Sequence, residues 1–151
     1  MKELKFVNKS PNANPQYAKE GDSGFDLRAW VDGDDEIILK PLERKMIHTG
    51  IYLDIPENCE VQVRPRSGCA IKQGLTIINT PGSVDESYTG EICVLAINLS
   101  NEDIRICNGD RIAQAVLMPV YNSKQVNLTE VEEITKETDR GDGGFGHTGV
   151  K

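Results

Sequence analysis

The sequence predicts an all-β sandwich or barrel, and three observations carry that prediction. Short apolar runs recur along the chain, several with period-two alternation. Clusters of Gly, Pro, Asn and Asp separate them at close spacing, as turns between strands require. Only one stretch, residues 67–74, reads as a helix, and it is short. With 151 residues the chain suffices for one domain with a real core and is too short to expect two. No internal repeat and no linker divides it.

Taken in order, residues 4–7 form a short apolar strand, followed by a polar connection through Pro11 and Pro15. In residues 21–30, Phe25, Leu27 and Ala29 alternate against Asp26 and Arg28, so this is a strand. Residues 36–39 and 45–55 are further strands, the second interrupted at Gly50; residues 60–63 alternate before Pro65 ends the pattern. Residues 74–91 read as a β-hairpin, with β-branched Thr76, Ile77 and Ile78 on one arm and Val84 to Tyr88 on the other, around Pro81 and Gly82. The run 92–99, I-C-V-L-A-I-N-L, suits a strand buried on both faces. Ile104 and Ile106 alternate with charges, and residues 112–120 make another apolar strand with Gln114 set into it. Beyond Asn122, the residues Val126, Leu128, Val131 and Ile134 allow one or two more strands.

Composition excludes several classes. A formal net charge of −7 argues against nonspecific nucleic-acid binding, which needs a basic footprint. It leaves an anionic small molecule open, since local arginines, main-chain N–H groups and a divalent cation can meet a triphosphate. No apolar run reaches membrane-spanning length, and the start of the chain lacks a signal peptide's apolar segment, so the expected location is cytoplasmic. The four cysteines lack C-x-x-C pairing and have no histidine nearby in sequence, which disfavours zinc. Cys93 is expected to pack as a small hydrophobe.

Two stretches carry unusual polar content. Asn79, Asp85 and Tyr88 gather near the tip of the 74–91 segment; they suit either turn and strand-edge positions or a ligand site. The end of the chain holds Gly141, Gly143, Gly144, Gly146 and Gly149 around Phe145. By composition it reads as a disordered tail, yet such glycines also let successive N–H groups face an anion, with Arg140 and Thr148 for phosphate oxygens and Phe145 for a base.

The segment G-x-V-D-x-x-Y-x-G-E, from Gly82 to Glu91, resembles the third signature of the trimeric dUTP pyrophosphatases (dUTPases). Residues 21–29 (G-D-S-G-F-D-L-R-A), 65–70 (P-R-S-G-C-A), 109–114 (G-D-R-I-A-Q) and 140–149 (R-G-D-G-G-F-G-H-T-G) resemble the other four signatures, in the family's order. This resemblance implies a jelly-roll-like β-barrel or sandwich spanning residues 1–151, with residues 136–151 as a mobile arm. It implies hydrolysis of dUTP to dUMP and pyrophosphate with Mg²⁺, in a homotrimer whose sites lie between subunits.

It also implies roles for residues. Asp85 would orient and activate water, and Tyr88 would pack on the deoxyribose and reject UTP. The main chain around Asn79, Gly82, Ser83 and Val84 would read uracil. Arg66, Ser67 and Gly68 would bind phosphate where the short helix opens, with a plain N-cap as the other reading of Ser67. Gln114 would bond a phosphate or serve as a buried structural amide. Arg140, Phe145, Gly146, His147 and Thr148 would close over the nucleotide, His147 standing where the family usually has serine. Asp26 would meet magnesium through water. Asp110 and Arg111 are expected to be structural, in an ion pair with neighbours such as Arg64. Two rivals remain in view: a dCTP deaminase of the same fold, with Glu91 as the nearest candidate acid, and a catalytically idle nucleotide-binding regulator.

Overall fold

The computed structural model describes residues 2–33 and 35–145. Its elements are β1 (Lys5–Asn8), β2 (Phe25–Arg28), β3 (Glu36–Leu39), β4 (Arg44–Asp54), β5 (Cys59–Arg64), α1 (Ser67–Gln73), β6 (Leu75–Ile77), β7 (Gly82–Val84), β8 (Glu91–Asn98), β9 (Ile104–Cys107) and β10 (Arg111–Pro119). They build two four-stranded sheets, ordered β1-β4-β8-β6 and β2-β10-β5-β7, and a two-stranded pair β3-β9. All pairings are antiparallel. The sheets remain separate rather than closing into a barrel, so the architecture is a jelly-roll-like sandwich.

Alternation places the core. Phe25 and Leu27 of β2, Val61 and Val63 of β5, and Ala113 and Ala115 of β10 turn inward from one sheet. Ile47 of β4, Leu75 and Ile77 of β6, and Ile92, Val94 and Ala96 of β8 turn inward from the other, and Leu39 and Ile106 extend the same cluster into the third pair. Each fully buried Leu or Ile contributes roughly 1.5–3 kcal/mol relative to exposure. Small residues on β10 let the sheets approach, while bulky ones on β4 and β8 fill the space.

Several expectations need correction. The arms of the 74–91 segment do not pair with each other: β6 pairs with β8 and β7 with β5, in different sheets. Each arm is three residues long, too short to stand as a ladder alone, and gains more by extending a sheet that already packs on the core. β8 is buried on one face only. Cys93, Leu95 and Ile97 stay partly open, because an antiparallel sheet in a sandwich covers one side. The strand in residues 21–30 contracts to Phe25–Arg28. Residues 121–145 form no strand; Val126, Leu128, Val131 and Ile134 are exposed, with no ladder beside them to satisfy their backbone. Arg66, rather than Ser67, occupies the N-cap of α1, and no side chain caps it. The helix stops at Gly74, whose φ of 70° is left-handed.

Candidate active site

The polar residues of the 74–91 segment converge. Asn79, Gly82, Ser83, Val84, Asp85 and Tyr88 line one pocket of about 270 Å³, whose far wall is formed by Met46 of β4 and Cys93 and Leu95 of β8. Separation of the two arms into different sheets opens this pocket; a paired hairpin would have closed it. The Asn79 amide lies over Gly82, with Nδ2 only 3.2 Å from where a Cβ would sit. The turn after β7 is fixed by the Tyr88 N–H donating to the Asp85 carbonyl at 3.0 Å. The Tyr88 hydroxyl donates to the Glu91 carbonyl at 2.9 Å, which sets the ring across the segment. Asp85 itself is exposed, with its carboxylate reachable by water and ligand.

A second pocket, about 380 Å³, is lined by Asp26, Arg66, Ser67, Gly68, Arg111 and Gln114 among others. Asp26 on β2 accepts from Arg66 Nε at 2.7 Å and from Arg111 Nη1 at 3.3 Å, one arginine on each carboxylate oxygen. Arg111 is thus paired with Asp26, and it also lines this pocket. The expected ion pair with Arg64 is not formed, since Arg64 donates to Gln62 Oε1 and Asp110 accepts from the Cys107 N–H. Gln114 Nε2 donates to the Pro65 carbonyl at 2.9 Å, which ties β10 to the entrance of α1. Ser67 and Gly68 are exposed at that entrance. No residue lines both pockets.

Glu91 is a site residue whose role the sequence did not disclose. Its Oε1 accepts from the N–H groups of Thr49 and Gly50 at 3.1 and 2.8 Å, and Oε2 lies 2.9 Å from His48 Nδ1. Burial opposes its charge, but hydrogen bonds from His48, Gly50 and Thr49 outweigh that and hold the carboxyl below its ordinary range. A carboxylate so engaged is a brace for the β4 bulge, not a free catalytic acid, which weighs against the deaminase. Beside it, Cys93 is half-buried and 3.7 Å from His48 Nδ1, and burial followed by the Glu91 charge pushes its thiol up. The histidine absent from the sequence neighbourhood of Cys93 is thus supplied across the strand pair. All four cysteines are free. Gly90 is the other missed residue: a Cβ there would fall 2.5 Å from the Tyr88 oxygen. The motif pattern marks Gly90, but only as a turn.

At the end of the chain, Arg140 Nε donates to the Gly143 carbonyl at 2.8 Å, and Phe145 is fully exposed. Gly146, His147 and Thr148 lie outside the described residues. No helix among the described residues is long and apolar enough to cross a membrane.

The two-sheet jelly-roll thus carries one pocket lined by Asn79, Asp85 and Tyr88 and a second lined by arginines at a helix entrance, the arrangement of a ligand-binding protein with a place for an anion. Comparison with known proteins is specific. The dUTPase family model matches residues 11–149. The deoxyuridine 5′-triphosphate nucleotidohydrolase of Finegoldia magna is 53% identical over 97% of this chain and 98% of its own. That of Clostridium novyi is 50% identical over 90% of each. Among solved structures, the dUTPase of Staphylococcus bacteriophage 80alpha with dUPNHPP superposes with a TM-score of 0.86 at 25% identity, covering 99% of this chain and 100% of that one. A mutant dUTPase from phage phi11 of S. aureus, described with a structural Mg(II) ion, shares the fold with a TM-score of 0.76 at 23% identity, covering 89% of this chain and 100% of that one. The chain belongs to the dUTPase family.

Proposed function

We infer that this chain hydrolyses dUTP to dUMP and pyrophosphate, an activity that keeps uracil out of DNA and supplies dUMP for thymidylate synthesis. The observation that carries the reading is the convergence of Asn79, Asp85 and Tyr88 in one pocket of a dUTPase-family chain. Asp85 orients and deprotonates the attacking water. Tyr88, held by Glu91, packs on the deoxyribose and leaves no room for a 2′-hydroxyl. Main-chain groups from Asn79 to Val84 read the uracil edge, where a narrow slot excludes the thymine methyl and amide polarity disfavours cytosine.

The second pocket supplies the phosphate contacts through Arg66, Ser67, Gly68 and Gln114, using N–H groups at the start of α1 and a guanidinium already oriented by Asp26. Gln114 spends one amide hydrogen on the Pro65 carbonyl and keeps the other to donate to a phosphate oxygen. Asp26 fits a magnesium ion only through water: both of its oxygens already neutralise arginines, so it has little charge left for direct ligation. When bound, Mg²⁺ neutralises phosphate charge.

We further propose that the enzyme is a cytoplasmic homotrimer with shared sites. Two features support this. The sugar-and-base pocket and the phosphate pocket have no residue in common, so the two halves of a site can come from different chains. Toward β6, where Met46 pairs with Leu95 and the Ile78 N–H donates to the Leu95 carbonyl, these three apolar side chains are exposed beside the base pocket, a patch suited to burial against another subunit. Residues 136–151, with Arg140, Phe145, Gly146, His147 and Thr148, then act as an arm that closes over a neighbour's site.

The test is pyrophosphate release with Mg²⁺ from dUTP, UTP, dCTP and dTTP. Strong preference for dUTP is expected. Asp85→Asn is expected to lower kcat by about 100-fold or more with dUTP binding retained, the scale of lost general-base catalysis. Ammonia release from dCTP would assign the deaminase reaction, and tight dUTP binding without turnover would assign a regulator.

A further inference from the structure

The outer face of β4 and β8 holds a group of side chains to which the proposed hydrolysis gives no chemical step, although two of them border its pocket. The β4–β8 ladder shifts between Ile47, opposite Val94, and Ile51, opposite Ile92. Residues 48–50 therefore stand opposite Cys93 alone, and this bulge brings His48 over Cys93 and beside Glu91. His48 Nδ1, a Glu91 carboxylate oxygen and Cys93 Sγ all lie within 4.8 Å of one another, the one such group of three found among the described residues. We propose that His48, Glu91 and Cys93 form a binding site for a thiophilic divalent cation of the Zn²⁺ class.

The chemistry of the donors selects the cation. One thiolate, one imidazole and one carboxylate suit Zn²⁺ or Co²⁺, whereas Mg²⁺ prefers oxygen alone. The spacing fits as well. Ligand atoms around tetrahedral zinc stand roughly 3.3–3.7 Å apart, from bond lengths of about 2.0–2.3 Å. Sγ to Nδ1 is 3.7 Å and already in range; Nδ1 to Oε2, 2.9 Å as a hydrogen bond, opens slightly, and the Cys93 sulfur and Glu91 carboxylate, within 4.8 Å, draw together by up to about 1 Å when a cation replaces the proton.

Glu91 is already oriented for the task. Oε1 is fixed by the Thr49 and Gly50 N–H groups, which leaves Oε2 turned toward His48 and Cys93. Outer hydrogen bonds of this kind hold ligating carboxylates in place. The His48 side chain is 55% exposed, so an ion has a path in, and water can complete a fourth position. Glu91 and Cys93 also border the pocket of Asp85 and Tyr88, while Asp26 lines the other one, so this site is distinct from the magnesium contact.

The experiment is titration of the purified, chelator-treated full chain with Co²⁺, followed by its thiolate-to-cobalt charge-transfer absorption. One equivalent per chain with that band is expected, and Zn²⁺ should bleach it stoichiometrically whereas excess Mg²⁺ should not. Cys93→Ser should lose the band. His48→Gln, at a half-exposed position, should weaken Co²⁺ binding by about tenfold or more, since loss of even an outer-shell partner costs about 10–100-fold. Cys107→Ser, altering an exposed thiol elsewhere, should leave the band intact. Absence of the band in the wild-type chain, its persistence in Cys93→Ser, or its bleaching by Mg²⁺ would each overturn the assignment.

Discussion

Tyr88 is held from two sides, by a hydrogen bond to the Glu91 carbonyl and by the bare Cα of Gly90 beneath its hydroxyl. Gly90 has no positive φ to defend, so alanine suits its backbone but not the 2.5 Å approach. Gly90→Ala should leave the sandwich folded and displace the tyrosine. The expected result is a loss of dUTP-over-UTP preference by on the order of tenfold, read from kcat/KM for the two nucleotides; undiminished discrimination would remove Tyr88 as the sugar gate. Residues of this kind mark the limit of sequence reading. The D-x-x-Y-x-G-E spacing is visible as a motif, but that glycine is needed because a phenol oxygen sits on it is a fact of packing.

At the scale of elements, two tethers decide how well the site is supported. Asn98, at the end of β8, is fully buried and donates to the carbonyls of Leu39 and Glu102 while accepting from the Ser100 N–H. Asn98→Ala strands the Leu39 carbonyl, while that of Glu102 keeps the Ser100 hydroxyl, and should cost about 2–3 kcal/mol, measured by urea denaturation. Glu86, next to Asp85, anchors the segment after β10: it accepts from Lys124, from the Asn58 N–H at 2.9 Å and from Asn122 at 3.0 Å. The Lys124 hydrogen bond, then that of Asn58, hold its carboxyl below the ordinary 4.5. A depressed folded-state pKa stabilises fully above that ordinary value and ceases to do so as pH falls through the lower one. Thermal midpoints of wild type and Glu86→Gln should therefore differ at about pH 7 and converge toward about pH 3. A gap that stays constant with pH would show that the carboxylate is not the tether.

For the whole molecule, the separation of the two pockets predicts complementation between inactive subunits. Asp85→Asn removes the proposed water-activating group from one pocket and Arg66→Ala the proposed phosphate ligand from the other. Co-refolded in equal amounts, the two variants should recover activity in about a quarter of sites, the random-mixing fraction for a closed oligomer whose sites span two chains. Recovery of nothing, with oligomers confirmed by sedimentation, would place each site within one chain.

The sequence by itself determined the local plan. Period two set β2, β5 and β9 and chose their inward residues, because alternation is dictated by the pleat. Gly74 set the end of α1, and five short motifs set the family. What tertiary structure alone decided is pairing. Whether β6 and β7 join each other or two different sheets depends on which edges the rest of the fold leaves open, and that choice opens the pocket of Asp85 and Tyr88. The same physics brings His48 to Cys93 across 45 residues: strand register is fixed by the whole ladder and its bulge, so no local pattern records it.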